Sequence, residues 1–267
     1  MIDLHCHILH GIDDGARSLD ESVHLCRIAV QNSIQKAVAT PHLVRPESAE
    51  EFVSIRDRRI DELRKVLFRE NIPLEIVAGA EVFVNDDIFY APSLDGVTLG
   101  GSRYMLIEFD FTGLNINRII KYVNEIISRG YIPIIAHPER YRFMQQNYDI
   151  VNHLADMGIL FQINSSSLAG FGGIESRELG FAMVASGIAS FIGTDAHSVA
   201  HRPNNLLEQY DMFPTSVDFD TYDRLLDKNA QVILADGVLQ RGRVFPIRRK
   251  RFSVSYTHLT LPTMAVV

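Results

Sequence analysis

The chain has 267 residues, 46% hydrophobic and 22% charged, proportions of one large globular domain or two small ones and unlike a disordered, collagenous or disulfide-stapled chain. Lys+Arg 26 against Asp+Glu 33 leaves a formal charge of −7, which argues against a general nucleic-acid binder. No apolar run approaches the ~18 residues of a membrane helix, the opening MIDLHCHILHGIDDG has no basic or apolar stretch of a signal peptide, and Cys6 and Cys26 supply no disulfide framework, so a reducing cytoplasm is expected.

Short runs dense in Ile, Val, Leu and Phe alternate with amphipathic stretches. Met1–His5 is the first predicted strand, followed by a helix over Ser18–Asn32 whose start, Ser18 with Glu21 three residues on, is a capping box. Strand Lys36–Thr40, helix Ala49–Glu70 and strands Leu74–Val82 and Tyr104–Phe109 follow. Helices Asn117–Arg129, Asp149–Met157 and Ser176–Ser186 then precede strands Tyr131–Ala136, Ile159–Asn164 and Ile188–Thr194. Gly130 and Gly158 fall just past helix ends, where a left-handed residue is wanted. The strands are apolar throughout rather than alternating, as parallel strands buried on both faces are. Strand–helix alternation repeated about seven times reads as an α/β barrel, with a doubly wound open sheet as the alternative. Residues 1–252 are expected to form one domain. Ile247–Arg251 reads as a solvated basic face, and residues 253–267, rich in Thr, Leu and Val without helical period, as a disordered tail or a sequence-assembly artefact.

Polar residues gather at the ends of these strands. His5 and His7 follow the first, His42 the second, Glu81 lies near the end of the third and Glu108 ends the fourth. His137 ends the fifth, and Asp195 with His197 ends the last. In a barrel these positions share the C-terminal rim, where active sites are built. Burying so many imidazoles and carboxylates is costly unless cations satisfy them together. Imidazole with carboxylate and no thiolate cluster suits Mn²⁺, Fe²⁺ or Zn²⁺. In the H-x-H pair, alternation along an extended strand points both imidazoles the same way and Cys6 the other.

The segments DLHCHILHGIDDGA, ATPH, GAEVF, LIEF, AHPERY and GTDAH resemble the PHP (polymerase and histidinol phosphatase) superfamily. More closely, they are similar to the bacterial manganese-dependent tyrosine-protein phosphatases of capsule and exopolysaccharide operons, the CpsB/CapC/YwqE type, over Met1 to Phe245. The resemblance implies a distorted (β/α)₇ TIM-like barrel (the PHP fold) holding three Mn²⁺ ions, with Fe²⁺, Zn²⁺ or Mg²⁺ as alternatives. It matches His5, His7, Glu81 and Asp195 to one ion, and Glu81, Glu108 and His137 to a second. His42, His197 and an aspartate match the third; Asp14 is preferred, Asp13 the alternative. Arg140 and Arg202 match positions that grip phosphate oxygens, which suits a guanidinium fork. His42 or His197 could protonate the leaving group, although a phenolate of pKa ~10 needs little help. The implied substrate is a bacterial tyrosine autokinase with a phosphotyrosine-rich C-terminal tail, in the cytoplasm, with no nucleic acid and no membrane insertion. A tail needs an open rim, for which Ala16–Asn32 and Leu43–Glu51 are the expected walls. His10 stands where the family has proline or an apolar residue and is close enough to add a metal contact.

Other chemistries fit less well. A cysteine phosphatase needs C-x₅-R, but Ile12 stands six after Cys6 and Asn32 six after Cys26. No G-x-S-x-G exists, and Ser165–Ser167 has no placed base. The remaining readings are another PHP phosphoesterase such as a histidinol phosphatase, a metal-dependent amidohydrolase, and a non-catalytic regulator that binds its kinase.

Overall fold

A computed structural model of the protein describes residues 1–111, 115–213, 215–240 and 242–249. The expectation for 253–267 lies outside them. The strands are β1 (Ile2–Cys6), β2 (Lys36–Ala39), β3 (His42–Leu43), β4 (Glu75–Ala78), β5 (Glu81–Phe83), β6 (Tyr104–Glu108), β7 (Ile132–Ile135), β8 (Leu160–Asn164) and β9 (Phe191–Gly193). The helices are α1 (Leu19–Gln31), α2 (Ala49–Arg69), α3 (Ile116–Ser128), α4 (Arg142–Gln146), α5 (Tyr148–Asp156), α6 (Ser165–Ala169), α7 (Ile174–Ala185), α8 (Leu206–Tyr210), α9 (Phe219–Asp223) and α10 (Asn229–Leu234).

All strand pairs are parallel, β1-β2-β4 in one sheet and β3-β5-β6-β7-β8-β9 in the other. The predicted strand Leu74–Val82 is divided: β4 pairs with β2 and β5 with β6, the break falling at Gly79–Ala80. The second stave breaks likewise between β2 and β3 at Thr40–Pro41, because proline has no N–H for the ladder. Counting β2 with β3 and β4 with β5 as single staves gives seven. The ring closes between β1 and the end of β9, where Asp195 N donates to His5 O at 2.8 Å and His7 N to Ala196 O at 2.7 Å. The fold is thus a distorted α/β barrel, and the open-sheet alternative fails at this closure.

Two apolar layers hold it together. Inside, Leu4, Val38, Leu106, Ile134, Leu160 and Phe191 meet across the barrel, and α10 closes the N-terminal end with Ala230 and Ile233. Outside, a larger cluster seats the helices against the strands, with Leu25, Leu63, Ile126, Leu154 and Leu179 among its members. Local signals act as read: Ser18 accepts from Glu21 N at 3.2 Å while Glu21 Oε2 accepts from Arg17 N at 2.9 Å, and Gly130 and Gly158 take φ of 90° and 87°. Both layers leave the opposite, C-terminal rim to polar residues.

Candidate active site

The rim is built by backbone irregularities. The β1–β2 register shifts between Asp3 and Cys6, so consecutive residues serve two purposes: Leu4 packs inside the barrel and His5 turns to the rim. Gly193 on β9 gives His5 its room, since a Cβ there would lie 2.9 Å from His5 Cβ. Gly15 lets the loop after β1 fold onto His7; its Cβ would lie 2.2 Å from His7 O. His137 and Asp195, just past β7 and β9, take left-handed φ of 34° and 53°. Such non-glycine strain concentrates where geometry is enforced by function.

The side chains converge around Glu81. Its Oε2 lies 3.1 Å from His5 Nε2, 3.2 Å from His7 Nε2 and 3.2 Å from His42 Nδ1. Asp195 Oδ1 stands 3.4 and 3.5 Å from the same His5 and His7 nitrogens. His42 Nδ1 also faces Glu108 Oε1 at 2.9 Å. On the outer side Asp14 Oδ1 lies between His42 Nε2 at 3.5 Å and His197 Nε2 at 3.4 Å. His137 Nε2 lies 2.8 Å from Glu81 Oε1 and 3.9 Å from Glu108 Oε2. Among the described residues three ligand-like groups result: His5, His7, Glu81 and Asp195; His7, Asp14, His42 and His197; and His42, Glu81 and Glu108.

These contacts fit cations better than hydrogen bonds. Glu81 Oε2 and His42 Nδ1 are buried and have no hydrogen-bond partner despite their close approaches. Three of the imidazoles are aimed from behind. His7 Nδ1 donates to Asp13 Oδ2 at 2.7 Å, His5 Nδ1 to Gln162 Oε1 at 3.0 Å and His197 Nδ1 to the Asp195 carbonyl at 2.9 Å. Each leaves its Nε2 lone pair toward the centre, the arrangement of metal-binding histidines.

Charge is finely balanced here. Burial pulls His7 and His42 down, but Asp13 and Glu81 at His7, and Glu108 and Glu81 at His42, overcome it and lift both to about 9. His197 is pushed down to about 3 by burial and by His7. Burial pushes Glu81 and Asp195 up, yet His5 and His137 at Glu81, and His5 and Arg202 at Asp195, hold both below the usual carboxylate range. Carboxylates that draw protons onto imidazoles this strongly would hold divalent ions in their place.

Two arginines flank the centre. The turn Pro138–Arg140 folds Arg140 back so that its Nη1 lies 3.0 Å from Asp195 Oδ2. A short hairpin, Ser198 with Arg202, brings Arg202 to the same oxygen. Both line the cavity over this cluster, about 180 Å³, together with Phe111. The floor, His5, His7 and Glu81, is fully buried, while the Asp14 side chain is 71% exposed.

Over residues 1–235 the chain matches the family model for capsular polysaccharide synthesis, CpsB/CapC. The chain belongs to the CpsB/CapC family. Among its relatives, the tyrosine-protein phosphatase YwqE of Bacillus subtilis is 32% identical over 257 residues, 94% of this chain and 98% of YwqE. CapC of Staphylococcus aureus is 32% identical over 243 residues, 88% of this chain and 92% of CapC. A chain from the crystal structures of YwqE of Bacillus subtilis and CpsB of Streptococcus pneumoniae, metal-dependent tyrosine phosphatases, matches with a TM-score of 0.83 at 31% identity, covering 93% of this chain and 100% of that one.

In this CpsB/CapC chain several expectations are refined. Asp14 faces His42 and His197, whereas both Asp13 oxygens are engaged, Oδ1 by Gly15 N at 2.9 Å and Oδ2 by His7 Nδ1 and by His42 N at 2.9 Å. His42 sits in its own short strand and reaches two groups, not one. His10 faces Glu62 on α2 at 3.4 Å and contributes nothing to the centre. Neither Ala16–Asn32 nor Leu43–Glu51 lines the cavity over the cluster; its walls are Phe111 and the arginines. Cys6 points away, its thiol donating to Val38 O at 3.3 Å. Sequence reasoning missed Phe111, Gln162 and Asn164. The alternation of Gln162 and Asn164 with apolar residues on β8 was the available signal; Phe111, in a loop, gave none.

Proposed function

We propose that this protein is a metal-dependent tyrosine-protein phosphatase of capsular or exopolysaccharide synthesis, acting on a bacterial tyrosine autokinase. The observation that carries this reading is the pair of arginines and an aromatic wall at the mouth of a cation-ready cluster of imidazoles and carboxylates. The relatives named as tyrosine phosphatases support it.

In this reading His5, His7, Glu81 and Asp195 hold one ion, and Glu81, Glu108 and His137 a second beside His42. Asp14, His42 and His197 hold the third. The N/O donor set suits Mn²⁺, with Fe²⁺, Zn²⁺ or Mg²⁺ as alternatives. Divalent ions bound here supply Lewis acidity and bring the ionisation of water near neutral pH. Arg140 and Arg202 orient the phosphoryl oxygens and neutralise charge that grows on them. Phe111, 41% exposed, offers a ring face to the phenyl group. A phenolate leaving group, pKa ~10, departs without a strong acid, so His42, with both nitrogens facing carboxylates, acts here as a ligand.

A thiol mechanism is disfavoured by the same structure. Burial drives the Cys6 thiol well above its usual range and Cys26 up to about 12. Free, buried cysteines suit a cytoplasmic setting, and among the described residues no helix is long and apolar enough to cross a membrane.

The test is metal-stripped protein titrated with Mn²⁺ on a phosphotyrosine peptide and on histidinol phosphate side by side. Mn²⁺-dependent release from the peptide, lost in His5→Ala/His7→Ala, is expected. Preference for histidinol phosphate would move the protein to the metabolic phosphatases of this fold. Inactivity on both with metal bound would leave the kinase-binding regulator.

A further inference from the structure

Arg140 and Arg202 line two cavities. Besides the cavity over the cluster, they border a larger one of about 510 Å³, and among the described residues they are the only ones the two share. We propose that this larger cavity is a second anion subsite, which receives a carboxylate or phosphate carried by the same peptide close to its phosphotyrosine. The inference rests on the phosphatase reading and extends it from the scissile group to its neighbours.

Four observations converge. Among the described residues no acidic side chain lines the cavity, although the chain carries Asp+Glu 33 against Lys+Arg 26. Its polar lining instead combines two guanidinium groups and His201 with neutral hydroxyls and amides, including Ser166 and Gln209. Each guanidinium has five N–H donors, yet Asp195 Oδ2 engages one nitrogen of each. The others can serve anions in either cavity. Gln209, on the cavity wall, keeps a buried Oε1 with no hydrogen-bond partner among the described residues.

The mouth favours a peptide over a free ion. Phe171 lines the cavity and is 69% exposed, and Ile174, three residues on, is 74% exposed. An apolar shoulder of this kind rewards a chain that brings side chains with it. Because the arginines are common to both cavities, the second anion belongs within a few residues of the first; an extended peptide advances ~3.3 Å per residue. The volume lies within the ordinary range for a ligand site, ~300–1,000 Å³.

The experiment compares kcat/KM for phosphotyrosine peptides flanked by alanine, by glutamate, or by a second phosphotyrosine, with phenyl phosphate as the small substrate. A gain of about tenfold for an anionic flank, equivalent to ~1.4 kcal/mol, is expected in the wild type. His201→Glu and Ser166→Glu, each placing a carboxylate in the cavity, should bring the ratio of anionic to alanine flank toward one. A gain with both flanks assigns the subsite to either anion, and a gain with the second phosphotyrosine alone assigns it to phosphate. No gain with either flank, or a gain that both variants retain, overturns the subsite while phenyl phosphate turnover upholds the phosphatase. Loss of phenyl phosphate turnover in the Mn²⁺-loaded wild type overturns both.

Discussion

His5 Nδ1 stands 3.0 Å from Gln162 Oε1, an amide oxygen that can only accept. The proton is therefore fixed on Nδ1 and the Nε2 lone pair on the metal side. The same oxygen accepts from His137 N at 3.0 Å, while Gln162 Nε2 donates to Asn164 Oδ1 at 2.8 Å and Asn164 Nδ2 to Asp195 Oδ2 at 2.7 Å. One amide relay on β8, a stave that lends no candidate ligand, thus sets three of them. Gln162→Leu should lose about 10- to 100-fold in Mn²⁺ affinity, read by calorimetric titration of the stripped protein. Gln162→Glu, which keeps an acceptor, should recover part of it. Equal affinity in Gln162→Leu and wild type would exclude the positioning role.

Phe111 lies nearly parallel to His137, ring centroids 5.6 Å apart at 19°, with the Arg140 guanidinium 5.1 Å from its centroid. Tyr141 stacks on the same ring, 4.9 Å away at 29°, and Phe111 remains 41% exposed. Phe111→Ala should cut kcat/KM for aryl phosphates by about 5- to 10-fold, the scale of one aromatic contact. Phe111→Tyr should retain it. A phosphoserine peptide, which has no ring to lose, is the control: an equal loss on it would show that Phe111 acts only by steadying Arg140.

Asp13 and Asp14 are neighbours with opposite expected costs. Asp13 accepts from His7, Gly15 and His42 and is nearly buried, so Asp13→Ala strands three donors. A loss on the order of 2–3 kcal/mol is expected, visible as a lower melting temperature. Asp14, exposed and facing two imidazoles, should leave melting of the metal-free protein unchanged when replaced by Ala and remove one bound ion by metal analysis. The reverse pattern would make Asp13 the ligand.

That pair also marks the limit of what the chain alone discloses. The H-x-H of His5 and His7, the strand-end Glu108, His137 and Asp195 and the long helices are legible because each follows from a local period, a cap or a charged residue in an apolar run. Asp13 and Asp14 differ by one position in a loop, and only the fold of Gly15 against His7 decides which faces inward. The run Leu74–Val82 reads as one strand because periodicity carries no record of which neighbour accepts each hydrogen bond. Gln162, a neutral amide, has chemistry only once His5 stands beside it. The short α8 is too brief for a helical period to declare itself, and α9 and α10 are joined by a π-helical segment, Arg224–Lys228, whose wider turn breaks the 3.6-residue spacing.

The pH dependence of the metal-free protein follows from the raised imidazoles and lowered carboxylates. His7 and His42 rise from 6.5 to about 9 on folding, so their contribution to stability is complete below pH 6.5 and lost as pH rises through about 9. Glu81 and Asp195 are lowered from 4.5 and 3.8, so theirs is present above those values and lost on acidification. His197, held down to about 3, stays neutral in the fold while its unfolded form takes up a proton below 6.5, so stability in EDTA should be greatest near pH 6.5 and fall on both sides. Mn²⁺ replaces the protons on the imidazoles, so it should flatten the alkaline fall and release protons on binding below pH 9. Melting curves from pH 4 to 10, with EDTA and with Mn²⁺, check this directly. An alkaline decline that is identical with and without Mn²⁺ would place its origin outside the cluster.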